Sequence, residues 1–264
     1  MKYLYLFAVL LMACTQGVKN EDSNESNEVP ITAEVIVNDK HHSESIKKVF
    51  EAHGSYASWA SKGSLSFKLG DETHLNNLKN RKVLITSPSR TIGFDGAEVW
   101  VTPDSIDASR ARFYHNLFFY FYAMPFVVGD PGVFYEDMEP KELNGKVYGG
   151  VKVSYGEGVG DSPNDYYIIW YDPETFKMEW LMYTVTYGKN EASDSFSLIR
   201  YNDWAEKSGL ILPTSLQWHT YKDGEVGEMR SERLFEDIIL SENEPEENLF
   251  EMPEGAQISP APEI

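Results

Sequence analysis

The chain has 264 residues, of which 23 are Lys or Arg and 42 are Asp or Glu, a formal net charge of −19 at pH 7. A chain this acidic repels nucleic acid and anionic lipid surfaces, which excludes nucleic-acid binding and membrane attachment through a basic patch. The one cysteine, Cys14, excludes a disulfide scaffold and a cysteine-built metal centre, and 42% hydrophobic residues suffice for one sizeable core.

The N-terminus reads as an address rather than as part of the fold. Residues 1–13 join Lys2 to a short apolar run, the form of an export signal, and Leu11-Met12-Ala13-Cys14 resembles the lipobox of bacterial lipoproteins, with Cys14 as the lipidated residue. In well-studied Gram-negative systems an Asp after the cysteine retains a lipoprotein in the inner membrane. Thr15 stands there, so the resemblance points to a lipid-anchored protein of the outer membrane. Residues 14–30, rich in Asn, Ser and Glu, bury too little to offset their ordering entropy and read as a flexible tether. One domain is expected over 31–240, and an acidic, proline-containing tail over 241–264 that runs along the surface or hangs free.

The domain opens with helix. Ile46, Val49, Phe50 and His53 recur at helical spacing, Ser43 or Ser45 can cap the start, and Gly54 can supply the stop. A short helical turn at 56–60 carries Trp59. From Gly63 the period becomes two, with Leu65, Phe67 and Leu69 as the apolar face of a strand. Strand signals at 83–86 and 97–102 flank Asp95-Gly96, a pair suited to a tight hairpin.

Residues 113–128, FYHNLFFYFYAMPFVV, are the most apolar stretch of the domain. Pro125 interrupts them short of the roughly 20 residues needed to span a bilayer, so protein must bury them. A cap at Asp107 or Ser109 would start a helix running to about Ala123, apolar all round. Beyond it, turns at Asn144-Gly145, Asp172-Pro173 and Asp223-Gly224 separate expected strands over 146–155, 166–171, 177–187, 196–201, 210–221 and 226–240, an antiparallel meander. The strands holding Trp170 and Trp180 are apolar on both sides, so something must cover each side.

This order of parts resembles the LolA and LolB type of lipoprotein carrier. The resemblance rests on the helix ending in Ala52-His53-Gly54, the hairpin from Gly93 to Trp100, the helical insertion at 107–123 and the long strands around Asp172-Pro173-Glu174-Thr175. Ala123-Met124-Pro125-Phe126 with Gly129-Asp130-Pro131-Gly132 also resembles uncharacterised Gram-negative envelope lipoproteins of that layout. It implies an α+β fold that is mainly β, an open antiparallel half-barrel with helices plugging an apolar concave side, and a lipid or other apolar ligand as partner. Trp100, Phe118, Tyr122, Trp170, Trp180 and Trp218 are then the candidates to line the ligand site. A soluble shuttle leaves the membrane; an anchored protein of this type receives or presents its ligand there.

Catalytic and metal patterns are sparse. Gly160-Asp161-Ser162-Pro163 and Asp39-Lys40-His41-His42 resemble the two blocks of a serine hydrolase class, but in reversed order. Asp71, Glu72 and His74 cluster where a hairpin loop is expected, and no cofactor or metal pattern appears. Three readings follow, in descending order: an apolar-ligand lipoprotein that is not an enzyme, a non-catalytic envelope scaffold with a filled core, and a serine hydrolase.

Overall fold

The structure, a computed structural model, describes residues 41–103, 105–156, 164–187 and 192–261. The chain divides into two units, Met1–Glu34 and Val35–Ile264, and the described residues belong to the second. The export signal, Cys14, the tether, Asp39-Lys40 and Ser162 lie outside them.

Helix α1 (Glu44–Ala52) begins where the Ser43 side chain accepts a hydrogen bond from the Ile46 amide, and buries Ile46, Val49 and Phe50. It ends at Gly54, whose φ of +103° and approach to the Gly209 carbonyl leave no room for a Cβ. Helix α2 (Tyr56–Ala60) buries Trp59, whose ring stacks on Phe126 at 5.2 Å.

Strands β1 (Ser64–Leu69), β2 (Glu72–Asn77), β3 (Val83–Thr86), β4 (Thr91–Phe94) and β5 (Val99–Thr102) form an antiparallel meander. Two of these differ from the sequence reading. The expected loop around Asp71 is only a tight turn, and Glu72, His74 and Asn76 are strand residues. A strand whose buried face is polar carries no hydrophobic period to betray it. Strand β4 lies between the two expected strands, and its register places Ile92 between Ile85 and Val101.

The expected continuous helix is two short ones, α3 (Ala111–Tyr114) and α4 (Leu117–Tyr122), then a 3-10 turn, Phe126–Gly129. Asp107 spends its carboxylate on Ser109 and caps nothing, so α3 starts at Arg110 without a side-chain cap. At the break, the His115 ring hydrogen-bonds to the Arg112 carbonyl, a local competitor for the helical ladder.

The second meander runs through β6 (Val133–Leu143), β7 (Lys146–Tyr155), β8 (Tyr167–Tyr171), β9 (Met178–Tyr183), β10 (Ser197–Lys207), β11 (Leu210–Lys222) and β12 (Glu225–Leu234). The unforeseen β6 is an edge strand, and Pro140 lies in its register shift between Met138 and Lys141, where no amide is needed. Instead of one strand over 226–240, β12 stops at Phe235 and β13 (Glu236–Ser241) continues beside β1 in the first sheet. Phe235 is the corner: its amide bonds to the Thr214 carbonyl, while its ring packs among Phe67 and Tyr122. The two seven-stranded sheets thereby make one open antiparallel half-barrel, with β6 and β14 (Gln257–Ile258) at its outer edges.

The C-terminal segment is part of the fold, not a free tail. Phe250, at the end of a 3-10 turn (Glu247–Phe250), is fully buried. Its carbonyl accepts from Trp100 Nε1 at 3.1 Å, and β14 pairs with β5.

Candidate functional site

The register fixes what the hollow presents. In the second sheet Val151, Ile169, Leu181, Ile199 and Trp218 stand side by side across β7 to β11, and the neighbouring row holds Val153, Tyr167 and Tyr183. These rows share one hydrophobic core with α1, α4 and the 3-10 turn. In the first sheet the inward row Phe67, His74, Ile85, Ile92, Val101 runs across β1 to β5.

The aromatic segment fills the centre of this hollow and leaves its sides unequal. Tyr122 is fully buried, its ring 4.8 Å from Phe67 and 4.6 Å from Phe235. Helix α3 is fastened to the first sheet, where Tyr114 donates its hydroxyl to Glu72, Arg90 reaches the same carboxylate at 3.1 Å, and His74 Nε2 stands 3.4 Å away. Burial pushes the Glu72 carboxyl up, but hydrogen bonds from His74, Tyr114 and Arg90 outweigh it and hold the group at about 2. Phe121 faces the second sheet, with ring centroids 4.8 Å from Tyr183 and 5.8 Å from Trp218.

Between α3–α4 and the second sheet the packing is incomplete. A cavity of about 170 Å³ is walled by Leu117, Tyr120, Phe121, Tyr155, Tyr167 and Tyr183. It shares Phe113, Leu117, Phe121, Tyr183 and Val185 with an open groove of about 450 Å³. Phe118, Trp218, Arg230 and Arg233 border the groove. The cavity alone is smaller than the roughly 300 Å³ at which small-molecule pockets begin, whereas cavity and groove together fall within the usual range. Burial raises the Tyr155, Tyr167 and Tyr183 hydroxyls above their ordinary range. They stay neutral at physiological pH, so this part of the wall is aromatic rings with uncharged hydroxyls, and Arg112 and Asp165 complete the lining.

The six aromatic candidates separate into three groups. Phe118 and Trp218 meet at the groove, ring centroids 6.4 Å apart, and Trp218 Nε1 donates to the Tyr183 hydroxyl at 3.0 Å. Tyr122 is central core. Trp100, Trp170 and Trp180 point away from the hollow: Trp100 covers Gly93 and binds the Phe250 carbonyl, and Trp170 and Trp180 pack with Ile168, Met182 and Leu198 on the opposite face. Where both faces of a strand are apolar, alternation shows which residues share a face but not which face looks inward. Tyr155, Tyr167 and Tyr183 and the arginines of β12 join the candidate site only through this register. Among the described residues, no three His, Cys, Asp or Glu side chains converge as a metal would require.

The fold and its groove define a class: an open β half-barrel whose hollow is filled at the centre by an aromatic helix pair, with a groove open to solvent beside it. The chain belongs to DUF6503, a family of unknown function, whose model matches residues 82–214. That span begins just before β3, includes α3, α4 and the tyrosine walls, and ends before Trp218, Arg230 and Arg233. No curated protein matches the chain. Among solved structures it is similar to a LolA superfamily protein from Nitrosomonas europaea, with 12% identity and a TM-score of 0.43 over 72% of this chain and 87% of that one. It is also similar to a putative outer membrane lipoprotein-sorting protein domain from Vibrio parahaemolyticus, with 10% identity and a TM-score of 0.40 over 76% and 96% of the two chains. A third is a DUF1329 family protein from Desulfovibrio piger, at 10% identity and a TM-score of 0.38 over 75% and 92%.

Proposed function

We propose that this protein is a lipid-anchored envelope protein, held at the outer membrane through Cys14, that binds an apolar ligand such as a lipid or acyl chain and performs no catalysis. The observation that carries the reading is the aromatic cavity between α3–α4 and the second sheet, continuous with a groove open to solvent. Burying about ten methylenes in such a space contributes roughly 8 kcal/mol before association costs, so an acyl chain binds usefully without a charged anchor. The ligand is taken up at the membrane surface, because the anchor forbids free diffusion. Native mass spectrometry of the full chain in mild detergent tests this. A co-purifying lipid that is lost when Val185→Trp blocks the groove supports it. A ligand-free protein that also leaves its tryptophan emission unchanged on addition of acyl chains refutes it.

One observation favours a second reading, a scaffold for other envelope proteins. The centre of the hollow is already filled by Tyr122, Met124 and Phe126, all fully buried. A ligand-free protein that captures a specific envelope partner would establish that role instead.

A further inference from the structure

The chain as a whole carries 42 acidic residues against 23 basic ones, yet the charged side chains lining the cavity and groove invert this ratio. They are Arg112, Arg230 and Arg233 against one acid, Asp165. The Asp165 carboxylate accepts from the Thr186 amide at 2.6 Å, which occupies part of its charge within the wall. Arginine beside an apolar groove can hold an anion, because its planar fork matches carboxylate or phosphate oxygens.

The two arginines of β12 reach the groove differently: Arg233 pairs regularly with Leu216, two residues from Ser231 on the same face, whereas Arg230 gets there through an irregularity in the strand. Trp218 pairs with Ser231 and His219 with Met229, so Arg230 is an extra residue with no partner across the ladder. A bulge of this kind re-aims a side chain, and here it places Arg230 beside Ser231 and Arg233 on the groove. The intervening acid is turned away: Glu232 accepts from Ser215 at 2.6 Å and Gln217 at 2.9 Å on other positions of β11. Arg233 donates one hydrogen bond, to the Glu232 carbonyl at 2.9 Å, and among the described residues neither arginine is held by a carboxylate. Both are exposed, at the open end of a groove whose inner end is tyrosine and phenylalanine.

We propose that the ligand is an anionic amphiphile, its single negative head, carboxylate or phosphate, clamped by Arg230 and Arg233 while its acyl chain lies between α4 and β9. This rests on the apolar-ligand reading above and narrows it to a head-group class. The net negative charge of the chain makes the selection sharper, since an anion is repelled by the chain as a whole and must be held by local positive charge.

The test titrates tryptophan emission of the full chain with three probes sharing one sixteen-carbon chain: hexadecanoate, the corresponding lysophosphatidic acid and neutral 1-hexadecanoylglycerol. The expected result is about tenfold tighter binding of the anionic probes than of the neutral one, weakening as salt is raised. Arg230→Gln/Arg233→Gln should abolish that margin while leaving the neutral probe unchanged, and Arg230→Lys/Arg233→Lys should retain part of it. A larger loss for the phosphate probe than for hexadecanoate would identify a phosphate head, and the reverse a carboxylate. Equal binding of all three probes, or a preference that survives the double Gln variant with an unaltered thermal transition, overturns the head-group inference and leaves the apolar site standing. Failure of every probe to bind overturns both.

Discussion

His53 shows how one buried side chain sets a condition for stability. It is fully buried at the end of α1, its Nδ1 hydrogen-bonds to the Val49 carbonyl at 2.8 Å, and its ring lies 4.8 Å from Trp204. Burial depresses its pKa from 6.5 to about 4, against the opposing effect of the Val49 hydrogen bond. The unfolded chain therefore takes up the proton first, and stability contributed by neutral His53 is full above pH 6.5 and lost as pH falls towards 4. Denaturant titrations between pH 7 and 4 should show this decline, and His53→Gln should flatten it at the cost of a lower plateau. Gly93 is a second residue with one answer, since a Cβ there would sit 2.1 Å from the Trp100 ring. Gly93→Ala is expected to cost about 1–3 kcal/mol by overpacking, measured by urea denaturation.

At the scale of elements, the Glu72 carboxylate fastens α3 to β2 through Tyr114. Tyr114→Phe removes a donor from a buried carboxylate and should cost about 1–3 kcal/mol. It should also raise hydrogen exchange in α3 while α1 is unaffected. Because Glu72 is held at about 2 against an ordinary 4.5, its contribution is present above pH 4.5 and disappears as pH falls towards 2; Glu72→Gln should remove that acid-sensitive component. The C-terminal segment belongs to the same argument. The Phe250 side chain is fully buried, and Phe250→Ala should cost about 3–5 kcal/mol in denaturant titrations. Its sequence hides this role, because a single buried aromatic in an acidic, proline-containing stretch has no period to mark it.

For the whole molecule, an open half-barrel separates stability from binding. The core common to both sheets holds the fold, whereas the groove beside α4 is empty space bordered by partly exposed residues such as Val185. Leu117→Trp or Val185→Trp should therefore block acyl-chain binding in a fluorescence titration and leave the thermal midpoint nearly unchanged. Core-filling substitutions opposite Tyr122 should do the reverse.

What the residue order determined alone is local and periodic. The Ser43 cap and the Gly54 stop bound α1, and Asn144-Gly145 and Asp223-Gly224 mark two hairpins. The apolar run at 113–128 required burial, and alternation set the long strands, because each of these depends on neighbours within a few residues. Tertiary structure decided the rest. It turned Trp170 and Trp180 outward and Tyr167 and Tyr183 of the same two strands inward, although those strands are apolar on both sides. It broke the last long strand at Phe235 to carry the chain from one sheet to the other, and sustained a polar β2 by giving Glu72 partners from the β3–β4 turn, α3 and its own strand. Those outcomes depend on contacts between residues distant in sequence, whose energies exceed the local preferences that a period or a cap can express.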